Sequence, residues 1–183
     1  QHRRGKEIRI KIKNPQLNIL SGTTPSNLIK FMPENAWDQG FTSRVIMVFS
    51  DERVINDDLF ANLQRSMPDD MLHDLRIING LAGSFNVTSD YKDAVNNWRK
   101  LGYPPVPTHP KLTHYCTRRL AHLLKLSMVS AVDRSNTLLL TKDDFNRAMG
   151  WLTQAEQDMA DIFKAGGTGA DRSEEHTSEL QSH

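Results

Sequence analysis

Two short polar stretches carry the residue types best suited to chemistry: Ser21-Gly22-Thr23-Thr24-Pro25 and Gly40-Phe41-Thr42-Ser43-Arg44. The first follows the apolar run 17–20, and the second precedes the apolar run 45–49. A hydroxyl at the carboxyl end of a strand can hold a water or touch a terminal phosphate. Ligands of open parallel sheets gather at that end, which makes Thr23, Thr24 and Ser21 candidates. The competing use of a Thr-Pro pair is a helix cap followed by proline in the first turn. Arg44, mounted beside Ser43 ahead of a strand, has the chemistry of an arginine finger. Phosphoryl transfer spreads negative charge over the transferred group, and a planar cation reaching in from a neighbouring subunit offsets it. Its bland alternative is a surface ion pair.

Cations gather in two further places. Residues 1–13 hold Arg3, Arg4, Lys6, Arg9, Lys11 and Lys13 against one acid, Glu7, while Ile8, Ile10 and Ile12 alternate with polar neighbours. That is the pattern of a half-buried strand with one wet, basic face. Such a row suits a phosphate backbone, and equally suits a sheet edge protected from aggregation. His114, Arg118, His122 and Lys125 fall at i, i+4, i+8 and i+11, predicting one polar stripe on a helix that starts near Lys111, with Arg119 beside it. The stripe faces either phosphate or solvent opposite a leucine core. Arg9, Lys11, Lys13, Arg118 and Arg119 are therefore the candidate nucleic-acid contacts. His109, His114 and His122 lack a cysteine or carboxylate at ligand spacing, so no metal site is expected. Cys116, on the apolar side with no base near it, reads as packing. Trp98 and Trp151 read as core.

The elements that would position these groups form an α/β crossover followed by helices. Residues 17–21 and 45–49 predict two buried strands, with a helix over 25–31, a second short one from Pro33, and Gly40 ending it. Beyond Asp57 the pattern becomes helical, with segments at 57–67, 69–79 and 89–98 and a short strand near 83–87. The proline-rich run 103–110 cannot be helical throughout. Two long helices follow, 111–131 and 141–164, the second opened by a capping box of Thr141 and Asp144. The division is 1–55 for the α/β part, 56–165 for a helical lid or appendage, and 166–183 for a flexible end.

Bulk properties narrow the class. The 183 residues suffice for one ordinary domain or a partial domain with an appendage. No apolar run approaches the ~18 residues of a membrane span, and nothing resembles a signal peptide, so a soluble, cytoplasmic protein is expected. One cysteine excludes an internal disulfide and fits a reducing compartment. The start at Gln1, inside a basic strand, predicts a fragment. The string 172–183, RSEEHTSELQSH, resembles a translated sequencing adapter and is set aside. Removing its one arginine and three glutamates moves the formal charge from +1 to +3, which permits a nucleic-acid partner without requiring one.

Taken together, strand–GTTP–helix–GFTSR–strand resembles the C-terminal half of P-loop ATPase cores of the AAA+ and RecA-like kind. The longer pattern, from the basic strand through NPQLNILSGTTP and GFTSR to HPKLTHYCTRRLAHLLKLSM and FNRAMGWLTQAEQDM, resembles phage and plasmid ATPase–helicases, often associated with primases. The resemblance implies a partial P-loop core followed by an α-helical lid. It implies Thr24 or Thr23 as γ-phosphate sensor, with Ser43 beside the nucleotide and Arg44 as the finger. It further implies ATP and Mg2+ as ligands, DNA as partner, a ring of subunits, and the bacterial host cytoplasm as location. The departure is that no G-x-x-x-x-G-K-[ST] loop and no acid-tipped strand occur in the chain. The resemblance would place both upstream of Gln1, and the chain alone is not expected to hydrolyse ATP. A non-enzymatic DNA-binding or replisome-adaptor module is the alternative, and a DNA-packaging motor would share the core.

Overall fold

The computed structural model describes residues 18–32, 40–52 and 69–165. Thr24 acts as a cap: its Oγ1 accepts the Asn27 N–H at 3.3 Å, and helix α1, Pro25–Phe31, begins with proline in its first turn. A one-turn 3-10 helix, Thr42–Arg44, follows Gly40, whose φ of 77° is open to glycine and costly for other residues. Helix α2, Asp69–Gly80, opens on two acids and buries none of its residues.

The rest is a helical unit built on a small parallel ladder. Strand β1, Asn86–Val87, pairs with β2, Leu139–Leu140, in the register Asn86–Leu139 and Val87–Leu140. Each strand runs directly into a helix opened by threonine, so two helices start side by side: Thr88 leads into α3, Ser89–Lys100, and Thr141 into α6, Lys142–Gln157. Between them lie α4, Thr113–Cys116, and the long α5, Arg119–Ser135. Asn136 ends α5 in the left-handed region at φ 50°, returning its N–H to the Val132 carbonyl. Helix α6 packs along α5 and against α3. Around it Trp98, Leu112, Tyr115, Leu123, Leu152 and Met159 form the main core, and Leu28, Ile46, Met47 and Phe49 pack onto it. The α1 and 3-10 region therefore shares its apolar packing with the helical unit.

The helices at 25–31, 69–79 and 89–98 are found close to their expected bounds, as is the capping box. Three expectations are corrected. The helix expected over 141–164 ends at Gln157, and turns at 158–160 separate it from a further helical stretch at 161–165. Residues 18–21 and 45–49 form no strand: the β1–β2 ladder is the one sheet among the described residues. Val45 is extended, at φ −110° and ψ 132°, but a strand also needs a partner for its N–H and C=O groups. The helix expected over 111–131 is broken. The Thr117 hydroxyl donates to the His114 carbonyl at 2.7 Å, and the Arg118 N–H turns to the Tyr115 carbonyl at 2.9 Å instead of its i−4 partner. A local side-chain bond has competed with the helical ladder, and α5 restarts at Arg119. The observed architecture is thus α-rich with a small sheet. The basic strand 1–13, the helices from Pro33 and over 57–67, the boundary at 55–56 and the end 166–183 lie outside the described residues.

Asp144 ties the ladder to the bundle. Its buried carboxylate accepts the Thr141 N–H and hydroxyl (both 2.9 Å), the Ser130 hydroxyl (2.9 Å) and the Arg134 guanidinium (3.1 and 2.9 Å). Burial alone would raise its pKa; Arg134, Thr141 and Ser130 outweigh burial and hold the carboxyl down at about 2. A depressed carboxyl stabilises the fold fully above its unfolded value near 4 and loses that contribution as pH falls toward about 2. In urea titrations between pH 5 and 2, Asp144→Asn is therefore expected to start less stable and to show a flatter loss than the parent. An unchanged slope would rule the network out as a source of acid sensitivity.

Candidate functional site

The two polar stretches are brought to one region. Residues 19–25 and 45–49 line the same cleft, of about 490 Å3, with Ile19, Leu20, Thr23, Thr24, Ile46 and Phe49 among its walls. Its lining is mostly apolar, and Ser21, Thr23 and Thr24 supply its hydroxyls. Thr23 and Thr24 are exposed. Arg44 is also exposed but is not part of the cleft wall. Its Nη1 donates to the Gly40 carbonyl, and a Cβ at Gly40 would stand 2.9 Å from that nitrogen. Glycine is thus favoured at position 40 by the turn's φ, whereas the guanidinium, at the end of a flexible and exposed side chain, could shift to admit a Cβ.

The mount under Arg44 is rigid. Thr42 and Ser43 are buried, and the Ser43 hydroxyl donates to the Gly40 carbonyl at 2.7 Å. Backbone bonds from the Arg44 N–H to Phe41 (2.9 Å) and from the Val45 N–H to Thr42 (3.1 Å) close the turn. From the helical unit, the His122 Nε2–H donates to the Ser43 carbonyl at 2.9 Å. Burial pushes the His122 pKa down, against the pull of the Ser43 bond, and Lys125 and Arg118 add to the cost of a positive charge there.

His122 belongs to a buried polar chain that crosses the core. Its ring stacks on Tyr115 with centroids 5.2 Å apart. The Tyr115 hydroxyl donates to Glu156 at 2.9 Å, and Arg119 grips the same carboxylate through Nε and Nη2, both at 2.7 Å. Arg119 also donates to the Tyr103 carbonyl and lies over Trp98, 5.4 Å from the ring centroid. Burial first, and then the Glu156 carboxylate, raise the Tyr115 pKa, so its hydroxyl stays a donor.

This corrects the expected basic stripe. Arg119 is 1% exposed and engaged with Glu156, so it cannot reach a nucleic acid. His122 is likewise inward. The break at Thr117 leaves His114, Arg118 and Lys125 exposed while Arg119, His122, Leu123, Ser127, Ser130 and Ala131 turn in. Of the nucleic-acid candidates, Arg118 is on the surface, and Arg9, Lys11 and Lys13 lie outside the described residues. Cys116 is half-buried with its thiol against the Pro107 carbonyl at 3.5 Å, and burial raises its pKa, so a thiolate is disfavoured. Trp98 is core; Trp151 is half-buried, with the Arg147 guanidinium 5.0 Å from its ring centroid.

A second cleft, of about 720 Å3, lies between residues 48–52 and α6 and is lined by Asp51, Glu52, Asp158 and Asp161. Its charge repels phosphate, so neither nucleotide nor DNA is expected there. Among the described residues no group of three His, Cys, Asp or Glu could hold a metal ion, and no helix is long and apolar enough to cross a membrane. The described residues offer three cleft hydroxyls, of Ser21, Thr23 and Thr24, and one mounted cation to a phosphate, but no glycine–lysine cradle for ATP. No protein-family model, curated protein or solved structure matches the chain.

Proposed function

We propose that the chain is part of a ring-forming P-loop ATPase, a DNA helicase of the phage or plasmid replication type. In that reading Arg44 completes the ATP site of the neighbouring subunit, with Thr24 or Thr23 as γ-phosphate sensor and Ser43 supporting the turn. The observation that carries it is the mount: an exposed arginine directly follows a buried serine held by its own hydroxyl, by the turn's backbone and by His122. A cation held this way loses little conformational freedom when it meets a transition-state charge, which is what electrostatic catalysis requires. Ile19, Leu20 and Val48 also stand exposed, as apolar side chains covered by a further part of the protein would. DNA would meet Arg118 and Lys125, and a primase remains a candidate companion.

The adaptor reading draws on one observation, the bond from Arg44 to its own turn's Gly40 carbonyl, which gives the arginine a structural use. The coding sequence upstream of Gln1 separates the two. The ATPase reading expects a phosphate loop with lysine and Ser/Thr, then a strand ending in paired acids. An upstream stretch with neither removes the ATPase reading and leaves a basic adaptor.

A further inference from the structure

We propose that His122 is a positioning residue for Arg44, fixing the turn 40–44 on the helical unit through the bond from its Nε2–H to the Ser43 carbonyl. The carbonyl it holds belongs to the peptide whose nitrogen is that of Arg44. Because the peptide group is planar, fixing this oxygen fixes the Arg44 N and Cα as well. The two residues are 79 positions apart, so the bond joins the turn to a remote helix rather than tightening it locally.

The direction of control follows from what holds each partner. The imidazole is oriented from within the core: stacked on Tyr115, whose hydroxyl is bound to Glu156, which Arg119 grips on both oxygens. A carbonyl only accepts, so Nε2 carries the proton. The turn, by contrast, exposes Phe41, Arg44 and Val45 and buries only Thr42 and Ser43, where it lies against α4. The core therefore places the turn, and any shift of α5 along its axis is delivered to Arg44. The positional claim stands by itself; its consequence for ATP turnover rests on the function proposed above.

Trypsin cleavage at Arg44–Val45 reads the positional claim in the chain itself, with cleavage after Arg99 and Lys100 in α3 reporting opening of the helical unit. His122→Phe keeps the ring and the Tyr115 stack but removes the donor. His122→Gln places an amide N–H near the Nε2 position without the ring. The Phe variant is expected to be cut at Arg44 about tenfold faster, the effect of one lost buried hydrogen bond on the open population, with cleavage in α3 unchanged. The Gln variant is expected to stay within about threefold of the parent at Arg44. No acceleration in the Phe variant overturns the proposal, and so does equal acceleration at both places, which would make His122 a general stabiliser. In an assembly that turns over ATP, His122→Phe should lower kcat with KM little changed and His122→Gln should restore it. Normal turnover alongside faster cleavage at Arg44 leaves the positioning intact and removes the finger reading instead.

Discussion

Glu156→Ala is expected to destabilise the fold by about 3–5 kcal/mol, the range for breaking a buried ion pair from one side. The carboxylate satisfies Arg119 Nε and Nη2 and the Tyr115 hydroxyl, all within 2.9 Å. Without it, a guanidinium at 1% exposure has the Tyr103 carbonyl and the face of Trp98 but no counter-charge. Desolvation of the remaining charge, more than the lost attraction, sets the magnitude. The double variant Arg119→Leu/Glu156→Leu removes both charges and should recover part of the loss: apolar residues of similar volume replace a buried pair at little net cost, but the Tyr115 hydroxyl and the Tyr103 carbonyl lose their partners. The cycle is read from urea midpoints at constant m-value. A cost below about 1 kcal/mol for Glu156→Ala would mean that the pair is open to water in solution.

Arg44→Ala is expected to lower ATP turnover by about 10³- to 10⁵-fold in the assembled enzyme, the range for an arginine finger. Stability should change by no more than about 0.5 kcal/mol, because the side chain is exposed and its loss opens no cavity. Arg44→Lys keeps the charge but loses the planar fork that matches a phosphoryl group, so only a small part of the rate should return. DNA binding should be unaffected, since the exposed cations of the helical unit are elsewhere. A parent assembly that binds DNA but turns over no ATP would favour the adaptor.

The sequence disclosed elements whose signals are local and missed those set by distant partners. Thr24-Pro25 and Thr141 with Asp144 were legible because caps are decided within four residues. The strands expected at 17–21 and 45–49 were read from apolar runs alone, whereas a strand exists only with a ladder partner. The stripe of His114, Arg118, His122 and Lys125, with Arg119 beside it, reads from its spacing as a surface facing phosphate or solvent, because charged and imidazole groups are mostly exposed. Their burial follows from the Thr117 break and from Glu156, 37 positions from Arg119. One signal was present: Glu156 falls four residues after Leu152 and three before Met159, on the face that α6 and the turn following it bury. A charge on that face calls for a counter-charge from a facing helix.

The central claim is that Arg44 acts on a neighbour's nucleotide, and subunit mixing tests it most directly. On the proposed reading, subunits carrying Arg44→Ala would keep an intact nucleotide site, and subunits lacking the phosphate-loop lysine that this reading expects upstream of Gln1 would keep an intact finger. Each alone should be inactive. Mixed assemblies should regain turnover well above either parent, because some interfaces then pair an intact site with an intact arginine. Mixtures that turn over no faster than the separate variants would contradict an arginine acting between subunits.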